Sequence, residues 1–352
     1  MNSKKFTVVF IFIVGGFFFL NLAFWHIFVK PTFITRDGHG DLSRLGMYVS
    51  NESQTAPIQY PGKCILFSEY VALEKKPHID IVTIGDSFSN SGQYQAYLTS
   101  QYGKTILHVY SQDDCVTTLR TMEENGYLAE ISPNTVILES VERYMQSRFG
   151  KSDIHSTGVS KEHFAKKQIK KENKSQSNAE ENWAPGLMMS ANLKFIKNKT
   201  RYFSKDNRLS DEVYIEKLST PLFTNPTHEE ILLFYYEDLR YMNESTNYKQ
   251  INKTLNDLAD DLSLQGINLV FMTCVDKFDL YYPYIQDKNP YPENHFFEEF
   301  DTYPKRYIFI NTKRILEEML ATGEKDIYWF DDTHWSWKAQ QRVVDDIMKK
   351  LN

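Results

Sequence analysis

Ser87 stands where an α/β protein could present a nucleophile. It follows the apolar, β-branched run of residues 79–84 after Gly85 and Asp86, so the chain would turn directly after a buried strand. Loops at the carboxyl ends of such strands often carry reactive side chains. Gly, Asp and Ser are also ordinary turn residues, so the triplet alone is compatible with a plain loop.

A base and an acid stand near the other end of the chain, where Asp331, Asp332 and His334 precede the last predicted helix. A serine hydroxyl needs a base within hydrogen-bond reach, and the base needs an acceptor on its second ring nitrogen. Asp332 and His334 would project to the same side of an extended segment, whereas Asp331 could reach across a turn. In the alternative interpretation, Asp332 or Thr333 caps the helix and His334 packs against Trp335.

Strands and helices must alternate to bring these two ends together. Apolar β-branched runs predict strands over 79–84, 105–110, 135–138 and 267–272, with a last strand-like piece over 326–330. Helical patterns cover 93–101, 115–129, 248–264 and 312–320, and a closing helix carries an apolar stripe over 343–351. This order predicts an α/β domain with a parallel sheet covered on both faces.

Residues 1–30 are predicted to be an N-terminal membrane anchor. The segment from Phe6 to Val29 is almost entirely apolar and would span about 36 Å as a helix. Lys4 and Lys5 precede it, which favours a cytoplasmic N-terminus and places the rest of the chain on the periplasmic or extracellular side. A removed signal peptide is the rival interpretation, but the apolar run exceeds the roughly 7–15 residues usual for one.

The remaining chain is divided into a linker and lead-in segment, residues 31–76, and a catalytic domain, residues 77–352, with a polar insertion at about 150–230. His39 and Asp41 lie among glycines in the linker and are assigned no role. The lysine-rich segment 161–181 is predicted to be a mobile excursion, because its composition is too polar to bury a core. A basic loop that grips an anionic polymer is the functional alternative.

Composition excludes several classes of function. The formal net charge of the 352 residues is only -6 and no basic face stands out, which does not favour a nucleic-acid partner. The three cysteines have no paired spacing, so neither a zinc site nor a disulfide framework is predicted, although one bridge could form. No phosphate-binding loop is present, and we expect no cofactor. Aromatic residues, 14% of the chain, suit a sugar-binding cleft as well as a core.

Four blocks together resemble the SGNH (GDSL-like) hydrolase superfamily and its alginate O-acetyltransferase-like branch. In chain order the blocks are Gly85-Asp86-Ser87-Phe88-Ser89, the strand 136–141 ending in Glu142-Arg143, Asp276-Lys277-Phe278-Asp279-Leu280-Tyr281, and Asp332-Thr333-His334-Trp335. The resemblance covers about residues 79 to 345 outside the polar insertion. It implies a flavodoxin-like three-layer αβα domain that transfers or hydrolyses a small ester, commonly an acetyl group on a polysaccharide.

The resemblance also implies roles for single residues. Ser87 would be the nucleophile, His334 the general base and Asp332 its orienting partner, with Asp331 in reserve at the Asp-x-x-His position of the wider superfamily. The Ser87 backbone N–H would donate to the oxyanion. Lys277 is a further cleft candidate.

The chain departs from the superfamily at the other oxyanion donors. Where the superfamily has a glycine after the second strand and an asparagine after the third, this chain has residues 111–113, Ser-Gln-Asp, and Glu142-Arg143. Arg143 would either steady the oxyanion or pair with Glu142.

The sequence thus favours a membrane-anchored serine O-acetyltransferase that acts on an exported or cell-surface polysaccharide. The resemblance implies a membrane-bound O-acyltransferase partner that supplies acetyl groups. A carbohydrate acetyl esterase with the same triad is one alternative, because the two share the first half-reaction. A non-catalytic glycan-binding assembly protein is the other.

Overall fold

The computed structural model describes residues 3–33, 40–47, 62–89, 93–112, 114–150, 158–177, 190–204, 207–225 and 227–352. His39 and Asp113, which the sequence singled out, lie outside these described residues, as do parts of the linker and of the polar insertion.

A six-stranded parallel sheet forms the centre of the fold, in the order β1-β3-β2-β4-β7-β8, and β5 and β6 form a separate antiparallel pair. The strands are β1 (Ile65–Leu66), β2 (Ile81–Gly85), β3 (Ile106–Tyr110), β4 (Thr135–Val141), β5 (Val213–Lys217), β6 (Ile231–Tyr235), β7 (Asn268–Cys274) and β8 (Ile308–Asn311). Every residue of β2 and β4 is buried, as expected for apolar runs inside a covered parallel sheet. The predicted parallel α/β sheet is confirmed.

The helices are α1 (Ser3–Phe24), α2 (Lys30–Phe33), α3 (Asp41–Gly46), α4 (Phe67–Ala72), α5 (Gln93–Tyr102), α6 (Cys115–Glu124), α7 (Tyr127–Ile131), α8 (Met145–Phe149), α9 (Lys161–Ser177), α10 (Ser190–Phe203), α11 (Tyr248–Ser263), α12 (Lys277–Tyr281), α13 (Phe296–Asp301), α14 (Thr312–Ala321) and α15 (Trp337–Leu351). A π-helical turn covers Trp25–Val29, and 3-10 turns cover Glu142–Tyr144, Tyr236–Met242 and Tyr282–Tyr284.

The helices around the sheet form two groups. Helices α5, α14 and α15 pack on one another and on β3, β7 and β8, whereas α6, α8 and α11 pack together and on β2 and β7. This arrangement fits a three-layer α/β fold. The apolar stripe of α15 is buried at Val343, Val344, Ile347 and Met348, so this helix covers the sheet as the sequence predicts.

Two element predictions need correction. The last strand of the sheet is Ile308–Asn311, whereas the predicted piece 326–330 is a loop with a single bridge between Tyr328 and Trp335. The predicted helix 115–129 is two helices, because Gly126 has φ 72° and ends the helical path.

The prediction of a mobile excursion is wrong for residues 161–177, which form α9 and pack on α4 and β3. Phe164, Gln168 and Glu172 recur every fourth residue and are buried. Gln168 donates to the Tyr110 carbonyl, and Glu172 accepts from Ser68 N at 3.0 Å. One face of this polar helix can be buried because Gln168 and Glu172 form hydrogen bonds there.

The helical segment Ser3–Thr32 is long and apolar enough to cross a membrane, and its most apolar stretch is not buried by the rest of the protein. Its large side chains are accordingly exposed, including Phe12 at 77% and Leu20 at 68%. Among the described residues, the carboxyl end of this segment contacts the domain, in part through a small cluster of Trp25, Val29, Met47 and Ala191.

Candidate active site

Ser87 lies in the turn after β2, an interior strand of the sheet, and its side chain is half-buried. It lines a cavity of about 280 Å³ together with Asp41, Arg143, Tyr144 and His334, among others. Helix α15 and the loop before it return the C-terminal motif to this edge of the sheet. The structure therefore brings Ser87 and His334 into one cavity, although they are 247 positions apart in the sequence.

Two buried carboxyl groups below Ser87 shape the turn. A Cβ atom at Gly85 would overlap the Glu139 carboxyl group, which accepts from Asp86 N at 2.9 Å and from Ser89 Oγ at 2.7 Å. Glycine is therefore required at the end of β2. Burial and the neighbouring Asp86 raise the pKa of Glu139 well above its ordinary value.

Asp86 is held as an anion by Arg148. Its Oδ2 atom lies 2.5 Å from Arg148 Nη1, and its Oδ1 atom accepts from Phe88 N at 3.1 Å. Burial raises the pKa of Asp86, but the guanidinium more than offsets this, so the pKa lies below its ordinary value. Asp86 therefore braces the turn that carries Ser87, a role the sequence did not assign to it or to Arg148.

Asp332 binds the His334 ring as the orienting carboxylate of a triad would. The Asp332 Oδ1 atom lies 2.6 Å from His334 Nδ1 and also accepts from His334 N at 2.9 Å. His334 Nε2 is buried and has no hydrogen-bond partner among the described residues. That nitrogen is the one a serine hydroxyl would use.

Ser87 and His334 share the cavity, but no hydrogen bond joins them in the described part of the chain. The Phe88 ring packs on the His334 ring with centroids 4.9 Å apart and on Trp335 at 5.3 Å, so the residue after Ser87 fixes the position of the imidazole. Hydrogen bonds between nucleophile and base often tighten only when substrate binds.

The two carboxylates near His334 favour its protonated form. Burial lowers the pKa of His334, but Asp332 and, at 3.8 Å, Asp41 outweigh it and raise the pKa to about 9. Burial and the charge of Asp332 raise the pKa of Asp41. At pH 7 roughly one His334 ring in a hundred would then be neutral and able to act as a base.

The raised pKa of His334 predicts how the proposed activity depends on pH. Because only the neutral ring accepts the serine proton, kcat/KM for an acetyl ester should rise about tenfold per pH unit below pH 9 and level off above it. Initial rates across pH 6–10, corrected with a Ser87→Ala protein for spontaneous ester hydrolysis, would check this. A profile that levels off below pH 7 would contradict it.

Lys277 is buried and holds the loop that carries Asp332 and His334. Its Nζ atom donates to the carbonyl oxygens of Trp329 and Phe330 at 2.7 Å each and of Asp332 at 3.1 Å. Burial lowers the pKa of Lys277 to about 8, although nearby aspartates raise it in part. It is not among the side chains that line the Ser87 cavity, so it acts as a positioning residue.

A Lys277→Met protein should therefore be less stable. Three loop carbonyls would lose a charged donor, at a net cost of about 3 kcal/mol in the free energy of unfolding. Chemical denaturation of the full chain in detergent would measure it, with Lys350→Met as the matched control, because Lys350 lies near the surface and donates to one carbonyl, Phe309 O. Equal stability of the two variants would contradict the role of Lys277.

Helix α3 covers the same loop and supplies a residue that the sequence reasoning missed. Asp41 accepts from Thr333 N at 2.8 Å and from the Thr333 hydroxyl, and it lines the cavity. A Cβ atom at Gly40 would overlap the Asp331 backbone, so glycine permits this close approach. Only the pattern Gly-His-Gly-Asp marked this residue, and that pattern is also common in loops.

Asp331 does not lie where it could replace Asp332 as the carboxylate partner of His334. Its Oδ2 atom accepts from Gly40 N at 3.0 Å and from Ser43 Oγ at 2.7 Å, so the side chain secures α3. No described contact joins it to the His334 ring. Asp332 is thus the carboxylate that orients the His334 ring.

Arg143 lines the cavity but does not pair with Glu142. Its Nη1 atom lies 3.2 Å from Asp238 Oδ1 and forms an ion pair with Asp276. Glu142 accepts instead from Asp276 N at 2.9 Å and from Asn294 Nδ2. Of the two roles that the sequence left open for Arg143, the pairing with Glu142 is therefore wrong, and Arg143 is anchored by Asp238 and Asp276.

The site contains donor atoms that a cation could use. One ligand atom each from Asp41, Asp332 and His334 lies within 4.8 Å of the others. These atoms already form hydrogen bonds within the set and with Thr333. A triad needs this same arrangement of carboxylate and imidazole.

All four sequence blocks meet at one edge of the sheet. The first three follow β2, β4 and β7, and the fourth lies on the loop that Lys277 and Tyr281 hold, since Tyr328 N donates to Tyr281 Oη at 3.2 Å. No protein-family model and no curated protein matches the sequence. The family relationship therefore stays a prediction from these motifs.

Proposed function

We propose that this protein is a membrane-anchored serine O-acetyltransferase of the SGNH type. The observation that supports this most is the 2.6 Å pair of Asp332 and His334 in the cavity that Ser87 lines, with His334 Nε2 left without a partner among the described residues. The strand order β3-β2-β4-β7-β8 agrees with the 2-1-3-4-5 order of flavodoxin-like folds. In such sheets the crevice lies where the strand order reverses, here between β2 and β4.

In the proposed reaction Ser87 Oγ attacks the carbonyl carbon of an acetyl ester and gives its proton to His334 Nε2. The tetrahedral intermediate collapses, the donor's alcohol leaves with that proton, and an acetyl-serine remains. A sugar hydroxyl then gives its proton to His334 and attacks the acetyl carbon. Ser87 takes the proton back as the acetylated sugar departs.

The Ser87 backbone N–H is the proposed first donor to the oxyanion. No acceptor is bonded to it in the described part of the chain, whereas the N–H groups of Asp86, Phe88 and Ser89 all have partners. Arg143 and Gln112 also line the cavity and stand after β4 and β3, where the superfamily has its other donors. Removing one such donor typically costs about 3 kcal/mol of transition-state stabilisation.

The cavity wall suits a carbohydrate acceptor. Tyr144 and Tyr235 line it, and the Arg143 guanidinium lies 5.4 Å and 5.5 Å from their ring centroids. Aromatic faces beside charged hydrogen-bond donors are suited to binding sugar rings. A cell-surface or exported polysaccharide is the proposed acceptor, with Lys4 and Lys5 keeping the N-terminus cytoplasmic and a membrane-bound O-acyltransferase supplying acetyl groups.

The full chain in detergent, incubated with an acetyl-ester donor with and without oligosaccharide, would test this function. Transfer predicts acetylated sugar and a peptide containing Ser87 that carries an acetyl group in mass spectrometry of the quenched reaction. Free acetate at the same rate with and without sugar would indicate an esterase instead. Failure of Ser87 to react with either the donor or a serine-directed organophosphonate would contradict catalysis and favour a glycan-binding role.

A further inference from the structure

Helix α10 lies against the carboxyl end of the apolar N-terminal helix. Asn192 Nδ2 donates to Asn21 O at 2.8 Å and lies 2.7 Å from Asn21 Oδ1. The Phe24 and Phe195 rings meet edge to face with centroids 5.9 Å apart. These contacts fix α10 beside the last turns of the apolar helix.

The outer face of α10 is apolar and exposed. Leu193, Ile196 and Phe203 recur at helical spacing on one side, with 72%, 50% and 78% of their surfaces exposed. Leu193 and Ile196 also line a groove of about 500 Å³ with Phe17 and Leu20 of the apolar helix. The exposed stripe is therefore continuous with the surface that would face lipid.

Basic residues flank this stripe. Lys194, Lys197 and Arg201 lie on the side of α10 that faces Glu212 and Asp211, with ion pairs of 3.0, 2.9 and 2.7 Å. Lys199 extends over the Phe195 ring at 5.5 Å. Lys194, Lys197 and Arg201 against Asp211 and Glu212 leave one net positive charge on this edge, beside an apolar face, as in helices that lie in a lipid–water interface.

We propose that α10 lies in the membrane interface, with Leu193, Ile196 and Phe203 among the acyl chains of the bilayer and its basic edge at the headgroups. Lipid acyl chains fill the groove between α10 and the apolar helix. The domain is then held to the membrane at two places, which fixes the orientation of the Ser87 cavity relative to the bilayer. This inference rests on the membrane anchor of the proposed function, and it is independent of the acetyl-transfer chemistry.

Depth-dependent fluorescence quenching tests this placement. The native cysteines 64, 115 and 274 are buried, so a single introduced cysteine can be labelled with an environment-sensitive fluorophore. We would label Leu193→Cys, Phe12→Cys and Leu264→Cys in the full chain, reconstituted in vesicles of phosphatidylcholine and phosphatidylglycerol. Phe12 reports on the apolar helix, and Leu264, 87% exposed at the end of α11, is the water-facing control.

The label at position 193 should be quenched by a nitroxide placed high on the acyl chain. It should also be several-fold less sensitive to aqueous iodide than the label at 264. If the nitroxide lipid quenches the label at position 12 but the label at position 193 is as sensitive to iodide as the label at 264, the placement of α10 is contradicted and the membrane anchor is supported. If the label at position 12 is also exposed to water, both the placement of α10 and the membrane anchor are contradicted. Protection at 193 that disappears on dilution of the protein in lipid would place a second copy in the groove and overturn the proposal.

Discussion

Replacing Ser87 with alanine is expected to lower kcat/KM for acetyl transfer by about ten-thousand-fold or more, with little change in stability. The variant loses the only atom proposed to form the acetyl intermediate, and the effect of such a loss in serine enzymes reaches this size. The Ser87 side chain is half-buried and forms no described hydrogen bond, so its removal should leave the turn intact. Transfer of acetyl from a neutral ester, followed with the full chain in detergent, measures the effect.

Ser263→Ala is the matched control. Ser263 is exposed at the end of α11, on the side of the sheet where β7 begins, opposite the carboxyl ends that carry the cavity. It should keep full activity. A Ser87→Ala protein that retains more than about a tenth of the activity would remove Ser87 from the chemistry.

Replacing Asp332 with asparagine is expected to have a comparable effect, about ten-thousand-fold on kcat/KM. An amide at this position can donate to His334 Nδ1 and so stabilise the tautomer with its proton on Nε2, which cannot accept from Ser87. The charge of Asp332 is also the largest influence that raises the pKa of His334, so that pKa should fall. The residual activity should level off at a lower pH than in the unmodified protein.

Asp331→Asn separates this role from simple structural damage. Asp331 lies next to Asp332 in the chain, but its carboxylate accepts from Gly40 N and Ser43 Oγ rather than from the imidazole. We expect this variant to be less stable by about 1–2 kcal/mol, with the pH profile of kcat/KM unchanged. If Asp331→Asn moved the profile and Asp332→Asn did not, the assignment of the two carboxylates would have to be reversed.

The sheet could be predicted because short runs of apolar, β-branched residues mark its strands in the sequence. Residues 79–84 and 135–138 are apolar and β-branched, and both become fully buried strands that end within three residues of the predicted positions. The last strand was misplaced because residues 326–330 are as apolar as a strand. In the structure the carbonyls of Trp329 and Phe330 accept hydrogen bonds from Lys277 rather than from a neighbouring strand.

The candidate site was predicted only in part, for a physical reason. Ser87, Asp332 and His334 are recognisable from their residue types, and Asp332 and His334 also from their short spacing. Asp41 acts through Thr333, 292 positions away, and Arg148 acts through Asp86, 62 positions away. Pairs of this kind are created by the fold, so a single sequence contains no local signal for them.

The short connection between the apolar helix and α3 limits how far the Ser87 cavity can lie from the membrane in the proposed function. Phe33 ends the helical segment and Gly40 is already bonded to Asp331, so seven peptide units join them, about 25 Å at full extension. Asp41, the next residue, lines the cavity. With the helix anchored as proposed, the reacting hydroxyl must come within a few nanometres of the lipid. A polymer that lies farther from the bilayer would then be out of reach of the Ser87 hydroxyl.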